Sequence, residues 1–218
     1  MKKVVLVVLF FLRIHAVAQQ QPFVQGSYYD THGKKTDGYI TLPETRSFSF
    51  LLVRFPDPSN RYILFKKDST DVAVRVSGSS LTSFTMNTDS FAVLRNFKIF
   101  GYRYAQKISI GFCRVMVDTG RVQLYSNLYN DMPVTNGPSG RLPVARTSNM
   151  VQSYLLKQNG SDLITAVPMD IDEFIDQLSR YFYTSDEIVR RIKGREYSFN
   201  STEKLVRDYN EWYTRCHP

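Results

Sequence analysis

PMDIDEFIDQLSRYFYTSDEIVRRIKG, residues 168–194, is where the chain changes its hydrophobic period, and that change decides the fold class. Ile171, Phe174, Ile175, Leu178, Tyr181 and Phe182 recur at i, i+3, i+4 and form one apolar stripe, the signature of a helix with a buried face. Asp170, Asp172 and Glu173 place negative charge at the positive end of that helix. Thr184-Ser-Asp-Glu187 has capping-box spacing, Ile188, Val189 and Ile192 give a second helix a short apolar face, and Gly194 stops it. Beyond this stretch, Asn200-Ser-Thr-Glu203 starts a third helix carrying Leu205, Val206, Tyr209 and Trp212 or Tyr213. Three short amphipathic helices cannot bury their stripes alone, so they must dock on one another or on whatever precedes them.

Residues 22–167 have the opposite texture: short β-branched and aromatic runs broken by Gly, Asp, Asn and Pro. Gly26 to Asp30, a turn over Thr31 to Gly38, and Tyr39 to Leu42 read as a hairpin. Phe48 to Phe55, Tyr62 to Phe65 and Asp71 to Val76 are further strand candidates, the last alternating at period two. Phe84 to Met86 and Ser90 to Leu94 pair around Asn87-Thr-Asp89. Ile108 to Tyr125 makes the strongest hairpin, turning at Asp118-Thr-Gly120, with a phase change near Cys113-Arg114 that predicts a bulge or a buried stretch. Asn127 to Pro143 reads as a loop, and Val151 to Leu156 returns through Asn159-Gly160 to Leu163–Val167. The expectation is an α+β fold. A mostly antiparallel, β-rich body over 19–167 is followed by about three short helices over 168–218 packed on it as one structural unit.

The chain opens with export chemistry. Met1-Lys-Lys3 is positive, Val4 to Leu12 is an unbroken apolar run, and Ala16-Val-Ala18 has the small-x-small form that signal peptidase accepts. That run is too short to span a bilayer, which needs about 20 residues. Residues 1–18 therefore read as a signal peptide cleaved near Ala18, which makes the product periplasmic or secreted with no integral membrane segment. Cleavage removes Lys2, Lys3 and Arg13, so the net charge falls from +8 to +5. The remaining basic residues sit in scattered pairs (Lys34-Lys35, Lys66-Lys67, Arg190-Arg191) rather than in a stripe or module, which argues against a nucleic-acid partner.

The sequence offers little catalytic chemistry. After the leader the histidines are His32, in a turn, and His217, next to the end. No His-x-x-x-His, Cys-x-x-Cys or glycine-rich phosphate loop occurs, so neither a metal nor a cofactor is expected and no catalytic residue is assigned. Asp170, Asp172, Glu173 and Asp176 suit a helix start better than a glycosidase pair, and Asp68 and Asp71 read as turn residues. Cys113 and Cys216 either pair, tying the terminus to a central strand, or remain a buried thiol and a terminal one; the second reading is preferred. Tyr28-Tyr29, Tyr102, Tyr104 and Tyr181-Phe-Tyr183 are enough aromatic surface to grip a sugar or peptide, although tyrosine on strands is commonly half-buried core. Asn159-Gly-Ser161 and Asn200-Ser-Thr202 fit a glycosylation acceptor and carry no assigned role.

Gly38-Tyr-Ile40, Ser90-Phe-Ala-Val93, Arg114 to Tyr125, and a tail running from Phe174 through Tyr183 to Tyr209-Asn-Glu-Trp-Tyr213 together make a pattern. It resembles uncharacterised exported proteins of Bacteroidota over nearly the whole chain after the leader. The resemblance implies a small envelope domain, sometimes found beside an outer-membrane barrel, with no known activity and no site residue to carry over. Three functional expectations follow. The first is a non-catalytic binding module that meets an envelope protein or polysaccharide through a sheet face or edge. The second is a hydrolase of envelope sugar or peptide, which requires a cleft with two carboxylates of opposed pKa shift. The third is a carrier of a small apolar ligand, which requires a closed, unfilled apolar pocket.

Overall fold

Strand-forming runs separated by turn residues become ten strands in one antiparallel sheet, in the computed structural model that describes residues 22–43, 62–100, 105–131 and 149–217. They are β1 (Val24–Asp30), β2 (Lys35–Thr41), β3 (Tyr62–Lys66), β4 (Val74–Ser77), β5 (Leu81–Met86), β6 (Asp89–Phe100), β7 (Ala105–Val117), β8 (Val122–Asp131), β9 (Asn149–Gln158) and β10 (Ile164–Ala166). Across the sheet the order is β10-β9-β8-β7-β6-β5-β1-β2-β3-β4, so β10 and β4 are the edges. Three helices follow: α1 (Ile171–Tyr181), α2 (Asp186–Lys193) and α3 (Thr202–Cys216). The α+β architecture read from the change of period is the one observed. The leader, the Phe48–Phe55 strand and most of the Asn127–Pro143 loop lie outside the described residues.

The helices form where their apolar faces can be covered. Phe174, Leu178, Phe182, Ile188, Ile192, Leu205, Val206 and Tyr209 bury against Val117, Val122, Leu124, Tyr154 and Leu156 on one face of β7–β9. Full burial of each large side chain is worth about 1.5–3 kcal/mol, which is how short helices become stable here. Asp170 caps α1 by accepting from the N–H groups of Asp172 (3.0 Å) and Glu173 (3.1 Å). The capping box read over Thr184 to Glu187 is corrected: Ser185 caps α2 through Ile188 N–H (3.3 Å), while Thr184 bonds the Tyr209 hydroxyl at 2.9 Å. The α3 start is also displaced, because Phe199–Ser201 form a 3₁₀ turn before Thr202.

The sheet carries two further cores, one on each face. Ile40, Ile63, Phe65, Leu81, Phe84, Val93 and Phe112 bury on the same face as the helices but nearer β1–β5. Leu94, Phe97, Ile99, Ile108, Cys113, Tyr125, Leu155 and Ala166 bury on the opposite face, where the sheet curls until β10 meets β6. Gly111, Phe112 and Cys113 are buried in succession because β7 faces core on both sides there. The bulge itself falls later, at Met116, where the β7–β8 register shifts between Val115 and Val117.

The curl depends on β6. Its inward set changes parity across Asn96, from Ala92 and Leu94 to Phe97 and Ile99, and Asn96 holds φ at +53°. Asparagine tolerates that region better than most residues. Phe97 lies over the Gly111 backbone, where an added Cβ would stand 2.7 Å from its ring.

Several strand limits differ from the sequence reading, among them β6, which runs past Leu94 to Phe100, and β7, which begins at Ala105 rather than Ile108. The first turn spans only residues 31–34, and Lys35–Gly38 belong to β2, since Gly38 pairs with Gly26 and lets the Phe65 ring close over its backbone. The segment Asn127–Asp131 continues β8 instead of opening a loop, pairing with Asn149–Ser153. At Asp71–Val76 only Val74 onward is strand, and Val72 stands 87% exposed.

Candidate functional site

β1 and β2 turn Gly26, Tyr28, Gly38 and Ile40 toward the core, so their other parity faces outward: Gln25, Ser27 and Tyr29 beside Tyr39, Asp37 and Lys35. β5 continues that face with Thr85, whose hydroxyl meets the Ser27 hydroxyl at 3.1 Å and accepts from Ser27 N–H at the same distance. Asn87, at φ +52°, ends the β5–β6 turn's contact by donating its N–H to the Gln25 carbonyl at 2.9 Å. Together Gln25, Ser27, Asp37, Tyr39, Lys67, Thr85, Asn87 and Thr88 line an open groove of about 640 Å³ floored by the sheet backbone. Lys35 bonds Asp37 at 2.8 Å, and that bond raises the lysine's pKa.

Two other grooves lie among the described residues. One, of about 350 Å³, brings Asp89, Asp118 and Glu203 near Arg114. Arg114 pairs with Asp89 at 2.7 Å, and Arg207 pairs with Glu203 at 2.7 Å. Asp89 and Glu203 each face a cation and stand open to water, 43% and 38% exposed. The other lies between α1 and α2, lined by Ile175, Val189, Tyr183 and the Asp176–Arg180 pair.

The shifted groups elsewhere are spent on structure. Asp208 is pushed up by burial and pulled further down by bonds from Lys204 (2.6 Å), the Tyr197 hydroxyl (2.6 Å) and Arg191 (2.9 Å), ending below the usual carboxylate range. Asp30 is lowered by the backbone N–H of Lys34, which it holds at 2.9 Å in the first turn. Both carboxylates thus move the same way. Asp71 likewise closes a turn by accepting from Asp68 N–H at 3.0 Å. The cysteines are both free: Cys113 is buried, where desolvation drives its thiol pKa far up, and Cys216 is exposed.

Of the aromatics singled out by sequence, Tyr28 stands edge-on to Phe65 with ring centres 5.0 Å apart, Tyr181 packs on the helical core, and Phe182 is fully buried. Tyr183 is 73% exposed, and Tyr102 and Tyr104 lie outside the described residues. His32 sits in the β1–β2 turn, and His217 stacks on Tyr213 at 4.2 Å, next in sequence to the exposed Cys216 thiol. Among the described residues no cluster of three or more His, Cys, Asp and Glu could hold a metal, and no helix is long and apolar enough to cross a membrane.

No protein-family model, curated protein or solved structure matches this chain. Its own surface is what remains to read. The sequence reading places Asp37 in the first turn, Tyr39 on a strand and Asn87 in a later turn, and these meet Gln25 only where β1 lies between β2 and β5. Their signal was the alternation that Gly26 and Gly38 interrupt, since a glycine on the core face carries no apolar mark.

Proposed function

We propose that this chain is an exported, non-catalytic binding module of the cell envelope, and that its ligand is polysaccharide lying across the outer face of β5, β1 and β2. The observation that carries this reading is the groove, of about 640 Å³, in a sheet whose opposite face is sealed by core. Tyr39 offers a ring, and Gln25, Asn87, Asp37 and Lys67 offer amide, carboxylate and ammonium groups to sugar hydroxyls. A groove open along its length suits a polymer rather than a small molecule, which sites usually enclose. The curl's interior is filled by Leu94, Phe97, Ile99, Ile108 and Leu155, an arrangement that favours this reading over an apolar carrier. Export rests on the positive, apolar and Ala-Val-Ala pattern of residues 1–18.

Affinity electrophoresis of the chain from Gln19 onward, in gels holding polysaccharide extracted from the producing organism's envelope, tests the reading. The expected result is retardation that Tyr39→Ala and Asn87→Ala abolish while circular dichroism stays unchanged. Equal mobility with and without the polymer overturns it, and recovery of a stoichiometric envelope protein by crosslinking would redirect the groove to a protein partner.

A further inference from the structure

β4 is an open edge. Among the described residues it pairs with β3 alone, and unpaired strand edges are templates for another strand. The chain leading into it reads Asp71-Val-Ala-Val-Arg75 and is a charge palindrome about Ala73. Val72 and Val74 are 87% and 53% exposed, whereas Ile40, Ile63, Phe65, Leu81 and Phe84 on β2, β3 and β5 are buried. Val74 lies opposite Phe65 and Val76 opposite Ile63, so this parity continues the core of β1–β5 outward, beyond the last strand. Asp71 and Arg75 share the other parity, and the Arg75 guanidinium sits over the Tyr62 ring at 4.8 Å.

We infer that the chain forms a two-fold dimer by antiparallel pairing of this edge with the same edge of a second copy, centred on Ala73. In that register Asp71 faces the partner's Arg75, Val72 faces the partner's Val74, and Ala73 faces itself. An isologous contact needs this self-complementarity, in which each residue meets its counterpart twice. Four valines then close over the open end of the Phe65–Ile63 core, and two Asp–Arg pairs flank Ala73 on the opposite side. Opposite-charge pairs across antiparallel strands stabilise and like charges destabilise. A two-fold axis normal to the sheet also sets both copies' Tyr39 faces on the same side, which allows one long polymer to engage both.

Sedimentation velocity over a concentration series, with chemical crosslinking by designed cysteines, tests the dimer and its register. The wild-type chain sediments as a dimer at high concentration. Arg75→Asp sets four carboxylates together and weakens the dimer tenfold or more, and Asp71→Arg combined with Arg75→Asp restores it. Both positions lie at the surface, and the Asp68–Asp71 turn bond that Asp71→Arg removes is local, so lone-tryptophan fluorescence remains native in every variant. In a Cys216→Ser background, Ala73→Cys oxidises to a covalent dimer while Ser77→Cys does not. A monomer at all concentrations overturns the inference. So does equal association of Arg75→Asp and wild type, or a disulfide that forms at Val74→Cys in preference to Ala73→Cys, which would centre the pairing elsewhere.

Discussion

Replacing Asn210 with alanine should loosen the whole helical layer from the sheet, although the residue belongs to none of the three apolar cores. Its side chain enters the β7–β8 turn and makes three hydrogen bonds there. Oδ1 accepts from Val122 N–H at 2.9 Å, and Nδ2 donates to the carbonyls of Val122 (2.8 Å) and Thr119 (3.1 Å). The same amide lies so close to Gly120 that a Cβ there would stand 2.5 Å from Asn210 Cγ. At about 0.5–1.5 kcal/mol net per bond, the truncation costs about 2–4 kcal/mol. Trp212 is the lone tryptophan and packs on the helical core two residues away, so its fluorescence during urea unfolding reads the change at the right place. Asn210→Asp sharpens the prediction. A carboxylate keeps the bond from Val122 N–H but opposes two carbonyl oxygens, so its folded-state pKa rises above the unfolded value. A group raised in this way contributes its stability below the unfolded pKa and loses it as pH climbs through the folded one. Asn210→Asp should therefore be closer to wild type at pH 4 than at pH 7. An alanine variant within about 0.5 kcal/mol of wild type, the size of an ordinary surface change, would refute the clamp.

Three further outcomes follow from the same geometry. Gly111→Ala drives a methyl into the Phe97 ring and should cost about 1–3 kcal/mol in urea unfolding, with a crystal structure showing Phe97 displaced. Asp208 is lowered in the fold, so its stabilisation is present above the unfolded carboxylate pKa and fades as pH falls through the folded one; Asp208→Asn should flatten the acid limb of stability against pH. Native protein should release one equivalent of chromophore from a thiol reagent, at Cys216, and denatured protein two, because Cys113 is buried and its thiolate is suppressed.

What could be read from residues alone was local. The Asn159-Gly160 and Asp118-Thr-Gly120 turns, the α1 stripe from Ile171 to Phe182, and the Asp170 cap each depend on neighbours a few residues apart, and each appears where expected. Features set by distant pairing stayed hidden. Nothing near Asn96 announces that β6 exchanges its inward face, because the reversal is required by the curl that brings β10 to β6. Asn210 reads as one polar residue on a helix, and only the docked turn gives its amide three partners. Asp71 to Val76 alternates as a strand should, yet its first residues reach past β3 and stand in solvent. The groove had the same difficulty, since Gln25, Tyr39 and Asn87 come together only once β1 is placed between β2 and β5.

The central claim, that the outer face of β5, β1 and β2 is where this chain meets its ligand, is tested most directly by amide chemical-shift mapping. The labelled chain from Gln19 onward is titrated with envelope polysaccharide. Shifts concentrated at Gln25–Ser27, Asp37–Tyr39 and Thr85–Thr88, with the helices unmoved, are the result this account predicts. No shifts at saturating polymer, or shifts confined to α1 and α2 around Tyr183, would contradict it.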